Sequence, residues 1–257
     1  MSKSTEKLAE GTLISHLLEL RNRLVKAAAA VAVIFAPAIY FRNEIFENLA
    51  KPLVAQLPQT GALIATSVMS PFITPIKLAF FFAVFAAMPV VLYQIWAFVA
   101  PGLYRREKRF AIPLLVSSIL LFYVGVYFAY QFVFPTMFRF LASKGPANMQ
   151  MMPDINNFLD FALTTFLAFG VAFEVPVVVV LLVLTGLVHI DTLKKSRGYV
   201  IIGIFVVAAV LTPPDPLSQI MMAIPMWLLY EAGLLMARMM GRKQPVDATA
   251  DDNKETA

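Results

Sequence analysis

Long runs without a charged residue, separated by short basic clusters, dominate the pattern of this 257-residue chain. An ionised side chain near mid-bilayer costs about 3 kcal/mol or more, so such runs predict membrane-spanning helices. Six are visible. Fifteen residues separate Lys26 from Arg42, Leu78 to Tyr104 gives 27, and Phe110 to Phe138 gives 29. Phe161 to Ile190 is broken only by Glu174, Gly198 to Pro214 gives 17, and Pro216 to Tyr230 gives 15 before Glu231. Crossing ~30 Å of hydrocarbon takes about 20 helical residues. The first, fifth and sixth spans are therefore short and need flanking residues, tilt or a thinned bilayer.

Outside the spans the pattern changes period. Thr12 is placed to cap a helix over 12–26, with Leu13, Leu17, Leu20 and Leu24 on one face and Glu19, Arg23 and Lys26 on the other. That spacing predicts an amphipathic helix at the membrane interface, leading into span 1. Leu49, Leu53 and Leu57 predict a second short amphipathic helix in the connection 42–71, and 139–157 reads as an irregular loop. Pro89 and Pro176 are expected to kink spans 2 and 4 by removing a backbone donor. Ala28, Ala32 and Ala36 form a small-residue stripe at which another helix can approach closely. The organisation that follows is an N-terminal segment 1–26, a membrane domain 27–237 and a disordered acidic tail 238–257.

Composition supports the same class. Hydrophobic residues make up 60%, charged residues 14%, and mean hydropathy is +0.75. Soluble domains are about 45–50% apolar and about a quarter charged, so a water-soluble globule is excluded. With no cysteine, disulfide scaffolds, thiolate metal sites and cysteine nucleophiles are absent. The net charge of +5 does not require nucleic acid, because its distribution is topological. Lys3, Lys7, Arg21, Arg23, Arg105, Arg106, Lys108, Arg109, Lys194, Lys195, Arg197, Arg238, Arg242, Lys243 and Lys254 fall on one set of alternating connections. The opposite set holds only Arg42, Lys51, Arg139 and Lys144. Fifteen cations against four place both termini in the cytoplasm. Arg21, Arg23 and Lys26 followed by an Ala-rich run imitate a signal peptide, but the proline in Ala36-Pro37-Ala38 and the long polar lead favour a retained span.

Little catalytic chemistry is present. The chain lacks the phosphate-binding GxxxxGK[ST], the zinc-binding HExxH and the GxSxG elbow. Its two histidines, His16 and His189, fall at membrane edges. No catalytic residue, metal ligand or cofactor is assigned, and an enzyme is not expected. Glu174 is the sharpest single residue: a carboxylate inside span 4, suited either to binding and water access or to a neutral hydrogen bond with another helix. Lys77, Asp160 and Glu231 read as span-end residues whose charge reaches for the interface. Glu19 and Glu107 stand among cations on the cytoplasmic side. Glu19 and Arg23 are spaced for a local helix pair, whereas a carboxylate in such a place can also hold a guanidinium from elsewhere.

In chain order, several segments resemble the TatC family, the multi-span receptor subunit of the twin-arginine protein translocase. They are His16-Leu17-Leu18-Glu19-Leu20-Arg21, Ser70-Pro71-Phe72 with Pro75-Ile76-Lys77, and Tyr93-Gln94-Ile95-Trp96-Ala97-Phe98 leading into Ala100-Pro101-Gly102-Leu103-Tyr104 and Glu107. Phe169-Gly170, Phe173-Glu174-Val175-Pro176, Leu211-Thr212-Pro213-Pro214-Asp215 and Ser218-Gln219 complete the set. The resemblance implies an all-α integral membrane protein of six spans in the bacterial cytoplasmic membrane. It implies binding of twin-arginine signal peptides on folded cargo and recruitment of small single-span subunits of the TatA and TatB kind. It also implies self-association and transport driven by the proton-motive force. Glu19, Arg21, Phe98, Leu103 and Glu107 match signal-peptide positions, Glu174 the buried membrane carboxylate, and Thr212 and Gln219 the partner-subunit contact. Two other readings stand beside it: a proton-coupled small-molecule transporter using Glu174, and a passive membrane scaffold.

Overall fold

The computed structural model describes residues 2–54, 64–99, 111–137, 153–211 and 216–240. The helices are α1 (Ser2–Tyr40), α2 (Arg42–Val54), α3 (Ser70–Val99), α4 (Ala111–Phe128), α5 (Ile155–Ala172), α6 (Val175–Leu184), α7 (Ile190–Lys195), α8 (Arg197–Leu211) and α9 (Pro216–Met240). α4 runs on through a π-helical turn, Ala129–Val133. Among the described residues the extended pairing is a single isolated parallel bridge between Ile64 and Asp154.

Five stretches are long and apolar enough to cross a membrane: Ser15–Tyr40, Ser70–Val99, Ile112–Met137, Ile155–Leu184 and Gln219–Met239. Arg197–Val210 is apolar but shorter. At 1.5 Å per residue the 15 residues of α8 reach only about 22 Å, so this element is short, as expected. The last span is not. Glu231 fails to end it because Arg197 of α8 donates to the Glu231 carboxylate at 2.7 Å, and α9, 25 residues in all, continues to Met240. Arg238, Met239 and Met240 thus belong to this helix rather than to the tail, whose remainder lies outside the described residues.

At the start of the chain the helix expected over 12–26 is continuous with span 1 in α1, and the side chains it partly covers are not the leucines. Leu17, Leu20 and Leu24 are 63%, 44% and 68% exposed. The partly covered positions Glu19, Arg23, Ala27, Ala30, Val31, Ile34 and Phe35 and the buried Ala38 form one stripe at helical spacing. This stripe packs against α3, where the rings of Phe35 and Phe80 meet edge to face at 5.7 Å. Ala28, Ala32 and Ala36 are exposed, so the expected small-residue stripe is not the face that contacts α3. The apolar leucines stay exposed, and of the charged residues Glu19 and Arg23 turn towards α3 while Lys26 does not.

The centre is aromatic. Phe122, Phe134, Phe169, Leu78 and Met137 are fully enclosed. α4 lies on α5, with Phe128 touching both Phe169 and Phe173. α6 lies on α9, and α8 packs beside α9. Three close approaches require glycine: a Cβ on Gly125 would fall 2.6 Å from the Phe169 carbonyl oxygen, one on Gly170 2.6 Å from the Phe122 ring, and one on Gly233 2.8 Å from the Pro176 Cα.

Span 4 is broken, and the break precedes its proline. α5 ends at Ala172, Phe173 and Glu174 form a turn, and α6 begins at Val175 with Pro176 in its first turn. That first turn is where a missing backbone donor costs nothing. α3, by contrast, runs through Pro75 and Pro89 as one helix.

Candidate functional site

At the end of the bundle where α1 meets the last turn of α3, the structure joins two of the expected site residues through a third. The His16 ring stacks on Phe98, with centroids 4.4 Å apart and planes 22° from parallel. Glu19 follows one helical turn after His16, so the same strip of α1 carries both the aromatic contact and the carboxylate. Arg23, one turn further, donates from Nε at 3.0 Å and from Nη2 at 2.5 Å to Glu19 Oε1. The local helix pair therefore forms. Glu19 and Arg23 are partly covered, whereas Arg21 is exposed. Leu103 and Glu107 lie outside the described residues, as does Thr212.

Glu174 sits elsewhere, at the break in span 4. Ser118 of α4, itself fully buried, donates its hydroxyl to Glu174 Oε2. Glu174 Oε1 is buried without a partner among the described residues. Neither φ −75° nor ψ −17° at Glu174 is strained, and its side chain does not cap α6. The carboxylate is thus positioned by α4 rather than by its own helix. Ser118 carried no signal in the sequence, because a lone serine in an apolar run is common.

Gln219, expected at a partner contact, donates its Nε2 to the Phe205 carbonyl of α8 at 2.8 Å. At least one of its polar groups is satisfied within the chain, tying the short α8 to the start of α9.

The opposite end holds a polar cluster that residue-by-residue reading missed. Asn156 of α5 bridges Ser70 and Thr74 of α3, both buried. Lys77 Nζ meets both oxygens of Asp160 at 2.8 Å, so the two span-end charges are a partnered pair between helices. Asp154 caps α5 through the Asn156 and Asn157 amides, and accepts from the Thr66 amide at 3.0 Å and from its hydroxyl at 2.6 Å. These bonds, the Thr66 hydroxyl first, pull the Asp154 pKa down to about 2. Ile64 and Ile155 close the same junction through backbone hydrogen bonds. The available signal was the matched spacing of Ser70, Thr74 and Lys77 with Asn156 and Asp160, one polar stripe on each helix.

Residues 15–225 match the family described as Sec-independent protein translocase protein (TatC). The chain belongs to the TatC family. The TatC of Azotobacter chroococcum mcd 1 is 54% identical over 234 residues, covering 91% of this chain and 92% of that protein. The TatC of Escherichia coli (strain K12) is 51% identical over 226 residues, 88% of each. A crystal structure titled twin arginine translocase receptor TatC superposes with a TM-score of 0.79 at 38% identity, covering 88% of this chain and all of that one. As a TatC-family member the chain is a membrane component of the twin-arginine protein translocase and not an enzyme. The transporter and scaffold readings fall away with that membership.

Proposed function

We propose that this chain is the receptor core of the translocase, with six membrane crossings and both termini in the cytoplasm of a bacterial inner-membrane setting. α8 is the remaining crossing, its shortness met by local thinning of the bilayer. The observation that carries the receptor reading is the arrangement at α1 and α3. A carboxylate, Glu19, is held on the protein-facing side of its helix, one turn from an aromatic stack that includes Phe98. An arriving segment with paired arginines followed by an apolar stretch needs this combination. Glu19 and Glu107 take the guanidinium groups, Phe98 and Leu103 meet the apolar stretch, and Arg21 borders the site. Guanidinium and carboxylate match fork to fork, which a lysine ammonium cannot do. Thr212 and Gln219 contact small single-span subunits of the TatA and TatB kind, Glu174 serves the proton-driven step, and the receptor self-associates.

Photocrosslinking from position 98 to a labelled twin-arginine signal peptide in membranes tests the site. Crosslinks should form with the unaltered chain and disappear in Glu19→Gln. Equal capture by Glu19→Gln, or equal capture of a twin-lysine peptide, would overturn the carboxylate role.

A further inference from the structure

Arg23 holds the Glu19 carboxylate with the same chemical group that the receptor is proposed to admit. Two of its three guanidinium nitrogens, Nε and Nη2, converge on one oxygen, Oε1, at 3.0 and 2.5 Å. Arg23 is the more covered partner, with 23% of its side chain exposed against 39% for Glu19. A visiting guanidinium pairs best when it meets both carboxylate oxygens, and the resident arginine already occupies one. We propose that Arg23 is a resident competitor: it closes the Glu19 site in the unoccupied receptor and must swing aside before a signal-peptide arginine can pair there.

The spacing makes such a closure reversible. A carboxylate four residues ahead of an arginine is the favourable order on a helix, yet a partly exposed pair of this kind is weak. It is formed roughly two thirds of the time at the strengths measured for such pairs, leaving about one third of receptors open. Apparent affinity falls by the open fraction, so the resident arginine weakens peptide binding about threefold. The pair also gives the carboxylate a partner while no cargo is present, which a bare acid beside the bilayer would lack.

This inference rests on the receptor reading, and the experiment separates the two. Binding of a fluorescein-labelled twin-arginine signal peptide to the full-length protein in lipid nanodiscs is followed by anisotropy. The unaltered chain is compared with Arg23→Gln, Lys26→Gln, Glu19→Gln and the Glu19→Gln/Arg23→Gln double variant. Lys26 is exposed and three residues on, so its neutralisation reports the effect of charge alone. Arg23→Gln should tighten binding about threefold, by clearly more than Lys26→Gln, and the excess should vanish in the Glu19→Gln background. Weaker binding by Arg23→Gln would overturn the competitor role, as would a gain no larger than that of Lys26→Gln or one that persists without Glu19. Unchanged binding by Glu19→Gln would overturn the receptor reading itself. Normal Glu19 dependence without a gain from Arg23→Gln overturns only the resident competitor.

Discussion

Replacing Gly233 by alanine isolates the contact that joins α6 to α9. The added Cβ would lie 2.8 Å from Pro176 Cα, 3.1 Å from Val179 Cβ and 3.4 Å from the Pro176 carbonyl. Carbon atoms rest about 3.5–4.0 Å apart, so the two helices must part by roughly 0.7 Å or more. No rotamer relieves the clash, because the obstructing atoms are backbone and Cβ. Overpacking of this type costs about 1–3 kcal/mol, while alanine returns about 1 kcal/mol of helix propensity. Gly203→Ala in α8 is the matched control, since nothing stands within 4 Å of its Cβ position. It should gain about 1 kcal/mol from propensity without the clash. The two variants should therefore differ by about 1–3 kcal/mol, the overpacking cost alone. Thermal unfolding of the purified protein in detergent, followed by intrinsic fluorescence, measures the order. A Gly233→Ala protein melting with or above Gly203→Ala would refute the close approach.

Two further outcomes concern the polar end of the bundle. Asp160→Ala leaves Lys77 without its partner inside the span, and should lower stability by about 1 kcal/mol or more, the upper end for exposed pairs. Lys77→Met in the same background should recover most of the loss, because an orphaned charge costs more than the absence of both; detergent melts with no recovery would contradict this. The Asp154 pKa is lowered to about 2 from 3.8, so its contribution is complete above about 3.8 and is lost as pH falls toward 2. Between pH 7 and 5, Asp154→Asn should therefore show a constant deficit in melting temperature relative to the unaltered chain. That deficit should shrink only below about pH 4. A deficit that closes near neutrality would refute the assignment.

Span placement was largely legible in the sequence, because a charge-free run has one physical explanation in a chain this apolar: five of the six runs coincide with helices long and apolar enough to cross a membrane. The errors arose where a charge was taken as an end. Glu231 and Lys77 both lie inside helices, since Arg197 and Asp160 supply partners from other elements. Which charge on another helix supplies the partner is not written in the run that carries the first one. The leucine face of α1 reads as an interfacial face, and Leu17 and Leu24 are exposed; that Glu19 and Arg23 are the partly covered residues on the other side follows from the packing of α1 against α3, which a local pattern does not show. At the candidate site, Glu19 and Phe98 were found through family motifs. His16, although part of those motifs, was set aside as an isolated histidine, and only its ring geometry with Phe98 shows how the two helices share the site.

The turn at Phe173 and Glu174 divides one crossing between two neighbours. The stretch before it is fastened to α4, and the stretch after it to α9. Pro176 has no amide hydrogen to lose, so a change in angle between the two stretches breaks no ladder bond at that residue. The Glu174 carboxylate is set at this joint and is moored to Ser118 of α4, the neighbour of the stretch that precedes the turn.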